Sequence, residues 1–111
     1  MTINLGGAEF EGPFPMEDWN PPRKAAVYAI MTRQDPTGRQ ASYLPIYIWQ
    51  SENLDERGFL RSHHKFGCWI REARSTGSLF IAVHPMPNST EADRQRIENQ
   101  LIFKYKPVCN D

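Results

Sequence analysis

Two places in the sequence set up chemistry. In YLPIYIWQSENLDERGFLR, from Tyr43 to Arg61, an aromatic strand runs into a charge-decorated helix start. Strand alternation puts Tyr43, Pro45, Tyr47 and Trp49 on one face and Leu44, Ile46 and Ile48 on the other. The aliphatic face is the expected core face, so the two tyrosines and the tryptophan need another purpose, and Glu52, Asn53, Asp55, Glu56 and Arg57 follow directly. The second place is Glu98. At about 100° per residue, Ile97, Leu101, Ile102 and Tyr105 make one apolar helical stripe, and Glu98 falls inside it. An unpaired carboxylate aimed at a core is costly, so Glu98 calls for a metal, an arginine or a cleft.

The elements that must position these groups are readable from pattern. AAVYAIMT, Ala25 to Thr32, reads as a strand, and the Pro36- and Gly38-containing stretch after it reads as a hairpin connection to the strand Tyr43 to Trp49. Pro45 cannot donate to a ladder, which suits an edge strand. Asn53 with Glu56 resembles a capping box and predicts a short helix stopped near Gly58. Phe66, Trp69, Ile70 and Ala73 have amphipathic-helix spacing, ended by Thr76 and Gly77; LFIAV, Leu79 to Val83, is a short buried strand. Thr90 with Asp93 starts a last helix that must stop before Pro107. Residues 1–24, dense in Gly and Pro, read as an irregular arm packed through Phe10, Phe14, Met16 and Trp19 onto the domain formed by residues 25–111.

A chain of 111 residues with zero formal net charge and 40% hydrophobic residues fits one folded domain, not a disordered chain or a bulk polycation. Charge is uneven: residues 1–22 carry only acidic groups, whereas Arg57, Arg61, Lys65, Arg71 and Arg74 face Glu72 alone between positions 57 and 74. Cys68 and Cys109 do not amount to a disulfide framework, and with His64 and His84 they lack the close pairing of zinc signatures. With no apolar run long enough to span a membrane and no secretory pattern at the start, a reduced cytoplasmic protein is the expectation.

Taken in order, VYAI, YIWQSENLDER and ENQLIFKYKPVCN resemble the GIY-YIG nuclease domain: a first tyrosine signature, a second followed by an arginine on the first helix, and a last helix with a glutamate, then a proline and a terminal asparagine. The resemblance covers roughly Ala25 to Asn110. It implies an α+β fold with a three-stranded antiparallel sheet flanked by helices. It also implies a metal-dependent endonuclease that hydrolyses phosphodiester bonds, DNA being the expected substrate, with Tyr28, Tyr47, Arg57 and Glu98 as catalytic residues. Glu98 would bind one Mg²⁺ or Mn²⁺, Arg57 would clamp the phosphate, Tyr28 would help deprotonate water and Tyr47 would orient phosphate or water. Arg61, His63, His64 and Lys65 would form a phosphate-contacting edge, and Asn110 is the flanking asparagine of the tail.

The sequence departs from the pattern at Ala26 and Trp49, both in place of glycine. An indole at position 49 either fills part of the cleft or offers a base a stacking platform. The alternative is therefore a catalytically inactive nucleic-acid-binding or protein-interaction module. The near-neutral charge suits a homodimer or a partner that supplies recognition.

Overall fold

The structure, a computed structural model, describes residues 2–19, 25–33, 43–52 and 63–110. Among them are five strands and two α-helices, in chain order β1 (Thr2–Leu5), β2 (Ala8–Pro15), β3 (Ala26–Arg33), β4 (Tyr43–Ser51), α1 (Phe66–Ala73), β5 (Leu79–Pro85) and α2 (Glu91–Tyr105). The strands form one antiparallel sheet in the order β1-β2-β5-β3-β4. The fold is thus α+β as expected, with five strands rather than three.

The two additional strands come from the segment expected to be an irregular arm. Its breakers sit where a hairpin needs them. Leu5 pairs with Ala8 across Gly6 and Gly7, whose φ values of 59° and 91° are those of a two-residue turn that only such residues adopt cheaply. A Cβ on Gly6 would also come within 2.8 Å of Leu101. The β2–β5 register shifts between Glu11 and Phe14, so Gly12 and Pro13 lie in an irregularity where no ladder amide is required of the proline.

A second irregularity changes which residues share a face. Ile30 pairs with Tyr47 but Met31 with Pro45, leaving Ile46 as the extra residue of β4. The alternation therefore flips: Ile46 joins Tyr47 on one side, while Tyr43 lands on the other and packs edge-on against Phe80 at 5.1 Å. β4 is the outer strand, as Pro45 suggested.

Both faces of the sheet are covered. Phe66, Trp69, Ile70 and Ala73 of α1 close one face over Tyr28, Ile30, Ile46, Tyr47, Ile81 and Val83. Ile97, Leu101, Ile102 and Tyr105 of α2 close the other over Val27, Ala29, Met31, Ile48 and Ala82. This is why β3 is buried at every residue but its last, with small and apolar side chains on both sides. The aromatic face of β4, expected to lie outside the core, is core.

α1 ends at Ala73, with Arg74 in the left-handed region and its N–H on the Ile70 carbonyl at 2.7 Å. α2 starts with the expected capping box: Thr90 Oγ1 accepts from the Asp93 N–H at 3.1 Å and Asp93 accepts from the Thr90 N–H at 3.2 Å. The expectation of reduced thiols is corrected, because Cys68 on α1 and Cys109 in the closing 3-10 turn Val108–Asn110 form a disulfide. The fold brings their Cα atoms to 5.9 Å across a sequence separation of 41, which no spacing rule reveals. The same bond removes both sulfurs from any zinc site. The helix expected from Asn53 and Glu56, with Arg57 and Arg61, lies outside the described residues.

Candidate active site at the outer edge of the sheet

As the last strand, β4 turns alternate backbone groups outward, and side chains from the far end of the chain meet them. The Ile48 N–H donates to Asn110 Oδ1 at 2.8 Å, and Asn110 Nδ2 donates back to the Ile48 carbonyl at 2.9 Å. One amide side chain thus imitates a neighbouring strand and closes the edge. Two residues on, the Gln50 N–H donates to the Glu98 carboxylate. Glu98 leaves the apolar stripe of α2 to reach this edge. Its burial is partial, and that burial raises its carboxyl above the ordinary range, with the Gln50 N–H pulling the other way.

Tyr47 lies in the same neighbourhood. Burial, and then the Glu98 charge, push its phenol above the ordinary value of 10. At neutral pH the phenol keeps its proton, so it offers a donor rather than a base. Tyr28 is 0% exposed, with the half-buried Trp49 ring at 5.2 Å. That indole also stands 6.3 Å from the Tyr47 ring and 4.2 Å from His63. Trp49 therefore packs against both Tyr28 and Tyr47.

The histidines separate. His63 is 8% exposed and stacks on Trp69 at 4.8 Å. Its Nδ1 accepts from the Lys65 N–H at 3.0 Å, which leaves the ring proton on Nε2. Burial, then the charges of His64 and Lys65, lower its pKa to about 4. Where the sequence set His63 on a phosphate-contacting edge, the fold spends it on packing. His64 is exposed and Lys65 half-exposed.

The expected residues Tyr47, Trp49, Glu98 and Asn110 are thus gathered around β4, with Tyr28 beneath Trp49. Asn110 acts through β4's backbone. Among the described residues no group of three or more His, Cys, Asp or Glu is placed to hold a metal. A single carboxylate completed by water and phosphate oxygens is nevertheless a donor set that Mg²⁺ accepts, and Glu98 fits it.

Sequence reasoning missed Arg94. It is 4% exposed, its Nε donates to Gln50 Oε1 at 2.9 Å, and its Nη1 donates to the Ser89 carbonyl and Oγ at 2.9 and 3.0 Å. Arg94 and Glu98 are one helical turn apart and hold the side chain and the backbone of the same residue, Gln50. The signal was present, since Arg94, Ile97, Glu98 and Leu101 follow the i, i+3, i+4, i+7 pattern. A cavity of about 340 Å³ opens beside Arg94 between the end of β4 and the start of α2.

Compared with protein-family models, with curated proteins and with solved structures, the chain matches none.

Proposed function

We propose that the chain is a metal-dependent nuclease of the GIY-YIG kind that hydrolyses phosphodiester bonds, with DNA as its first substrate. The observation that carries this reading is the edge of β4, where Tyr47, Glu98 and Asn110 come together from separate parts of the chain in the order the resemblance requires. Glu98 would hold one Mg²⁺ or Mn²⁺, which when bound supplies charge neutralisation at the phosphate. The Gln50 N–H fixes the orientation of that carboxylate. Tyr47, protonated, donates to a phosphate oxygen. Asn110 keeps β4 from pairing elsewhere, so that Tyr47 and Gln50 stay in register. Arg57 supplies the planar fork for the phosphate. Tyr28, 0% exposed and packed against the Trp49 indole at 5.2 Å, could take a proton from water only as the phenolate, after giving up its own proton to solvent. While protonated it would orient that water through a hydrogen bond.

The position of Trp49 favours a second reading, a binding module on the same scaffold without catalysis. One assay separates the two: supercoiled, duplex and single-stranded DNA and RNA, each with Mg²⁺, Mn²⁺ or EDTA. The nuclease reading expects metal-dependent cutting that falls about a hundredfold or more in Glu98→Ala, the scale of the several kcal/mol a metal contributes. Trp49→Gly, checked for folding by circular dichroism, should raise the rate if the indole occludes Tyr28. No cutting by either the native chain or Trp49→Gly, together with salt-sensitive binding, leaves the binding module.

A further inference from the structure

The cavity beside Arg94 has the chemistry of an anion site. A guanidinium carries five N–H donors, and the bonds of Arg94 engage Nε and Nη1 only; among the described residues Nη2 has no acceptor. All its acceptors, Gln50 Oε1 and the Ser89 carbonyl and hydroxyl, are neutral, so a nearly buried positive charge has no carboxylate bonded to it. Its Nη2 edge is not sealed inside the protein and is left to the solvent of the cavity. The start of α2 opens on the same cavity through Thr90 and Glu91. The capping box uses the Thr90 and Asp93 amides, and the Glu91 and Ala92 N–H groups have no acceptor among the described residues. The Nη2 edge of the guanidinium and a helix N-terminus converge there, two devices proteins use for phosphate oxygens.

We propose that this cavity is a phosphate subsite that holds a nucleic-acid backbone phosphate flanking the one hydrolysed near Glu98, an inference that rests on the nuclease reading. Arg94 and Glu98, one turn apart on α2 and joined through Gln50, set the two positions side by side along β4. Glu52 and Glu91 also line the cavity and oppose an anion. They keep affinity for a lone phosphate low and leave binding to a strand held at several points.

The test is a titration followed by amide and arginine side-chain NMR, with inorganic phosphate in one arm and a four-residue thymidine oligonucleotide in the other. Both should move the Glu91, Ala92 and Arg94 Nε resonances, the oligonucleotide at lower concentration. Arg94→Lys should weaken oligonucleotide binding about tenfold, the scale of lost charge-assisted bonds. Glu91→Gln, at an exposed position outside the capping box, should tighten phosphate binding about threefold. The subsite is overturned if neither probe moves these resonances, if only inorganic phosphate does, or if Glu91→Gln leaves affinity unchanged. In the cleavage assay Arg94→Lys should raise KM with little change in kcat; cutting with an unchanged KM sinks the subsite alone. If the native chain cuts nothing while the oligonucleotide moves the Arg94 signals, the nuclease reading falls and takes the flanking role with it, and only backbone-phosphate binding at Arg94 stands.

Discussion

The face of the sheet under α1 and the outer edge of β4 share a strand and treat its polar groups in opposite ways. Under α1, Tyr28, Tyr47, Trp49, His63 and Trp69 crowd ring against ring, with neighbouring centroids as close as 4.2 Å. Their hydrogen-bonding groups are subordinate to packing; Trp69 Nε1 is buried with no hydrogen-bond acceptor among the described residues. At the edge, by contrast, Asn110, Glu98 and Arg94 each reach β4 through a polar atom, and the apolar parts of α2 turn to the other face. Aromatic density, which drew attention in the sequence, marks stability. The thinly populated polar edge is where the phosphate sites proposed above would lie.

The disulfide ties these regions together, since Cys68 belongs to the helix over the aromatic face and Cys109 precedes the asparagine that closes the edge. Replacing both cysteines with serine should cost about 2–4 kcal/mol, because the unfolded chain regains the freedom of a loop of this length. Urea unfolding of the native chain with and without reductant should give the same difference. A loss well under 1 kcal/mol would mean that the tail is held by Asn110 and packing alone.

Asn110→Ala isolates the edge. It removes a donor and an acceptor from Ile48 and should cost about 1–2 kcal/mol, less than the disulfide because solvent can reach the freed groups. Amide exchange at Ile48 should accelerate while that of β3 holds. Asn110→Asp, which keeps the acceptor and loses the donor, should fall between the two. If Ile48 exchange is unaffected, the edge is closed by something other than this amide.

What the sequence disclosed of this contrast followed from periodicity. β3, β4, β5, the amphipathic face of α1 and the Thr90–Asp93 cap were all legible from local pattern, whereas Glu98, read as aimed at the core, goes half-buried to the edge of β4. The β1–β2 hairpin was hidden because glycine and proline signal a break without saying whether a strand resumes on each side. Ile46 was hidden for a related reason: a one-residue irregularity in β4 reverses every face assignment upstream of it, and its cause lies in the pairing with β3. The Cys68–Cys109 bond, the burial of His63 and the neutral hydrogen-bond acceptors of Arg94 are tertiary facts, set by what α1, α2 and the tail bring to β4.

The last difference between face and edge is visible in pH. His63 belongs wholly to the aromatic face, and its pKa of about 4 lies below the ordinary 6.5 of the unfolded chain. Above pH 6.5 both states carry a neutral ring, so near neutrality the effect is nil. Between pH 6.5 and 4 the unfolded chain takes up a proton that the folded chain refuses, and stability must therefore fall as the pH falls through that window. In the fold that proton would go to Nδ1, which accepts the Lys65 N–H, and would place a charge against Trp49 and Trp69. His63→Asn keeps an acceptor for Lys65 and cannot titrate. It should lower stability at pH 7 through lost packing yet flatten the dependence between pH 6.5 and 4, as read from thermal melts at half-unit steps. An equally steep slope in the variant would assign the acid sensitivity to the carboxylates instead and leave the aromatic face electrically silent.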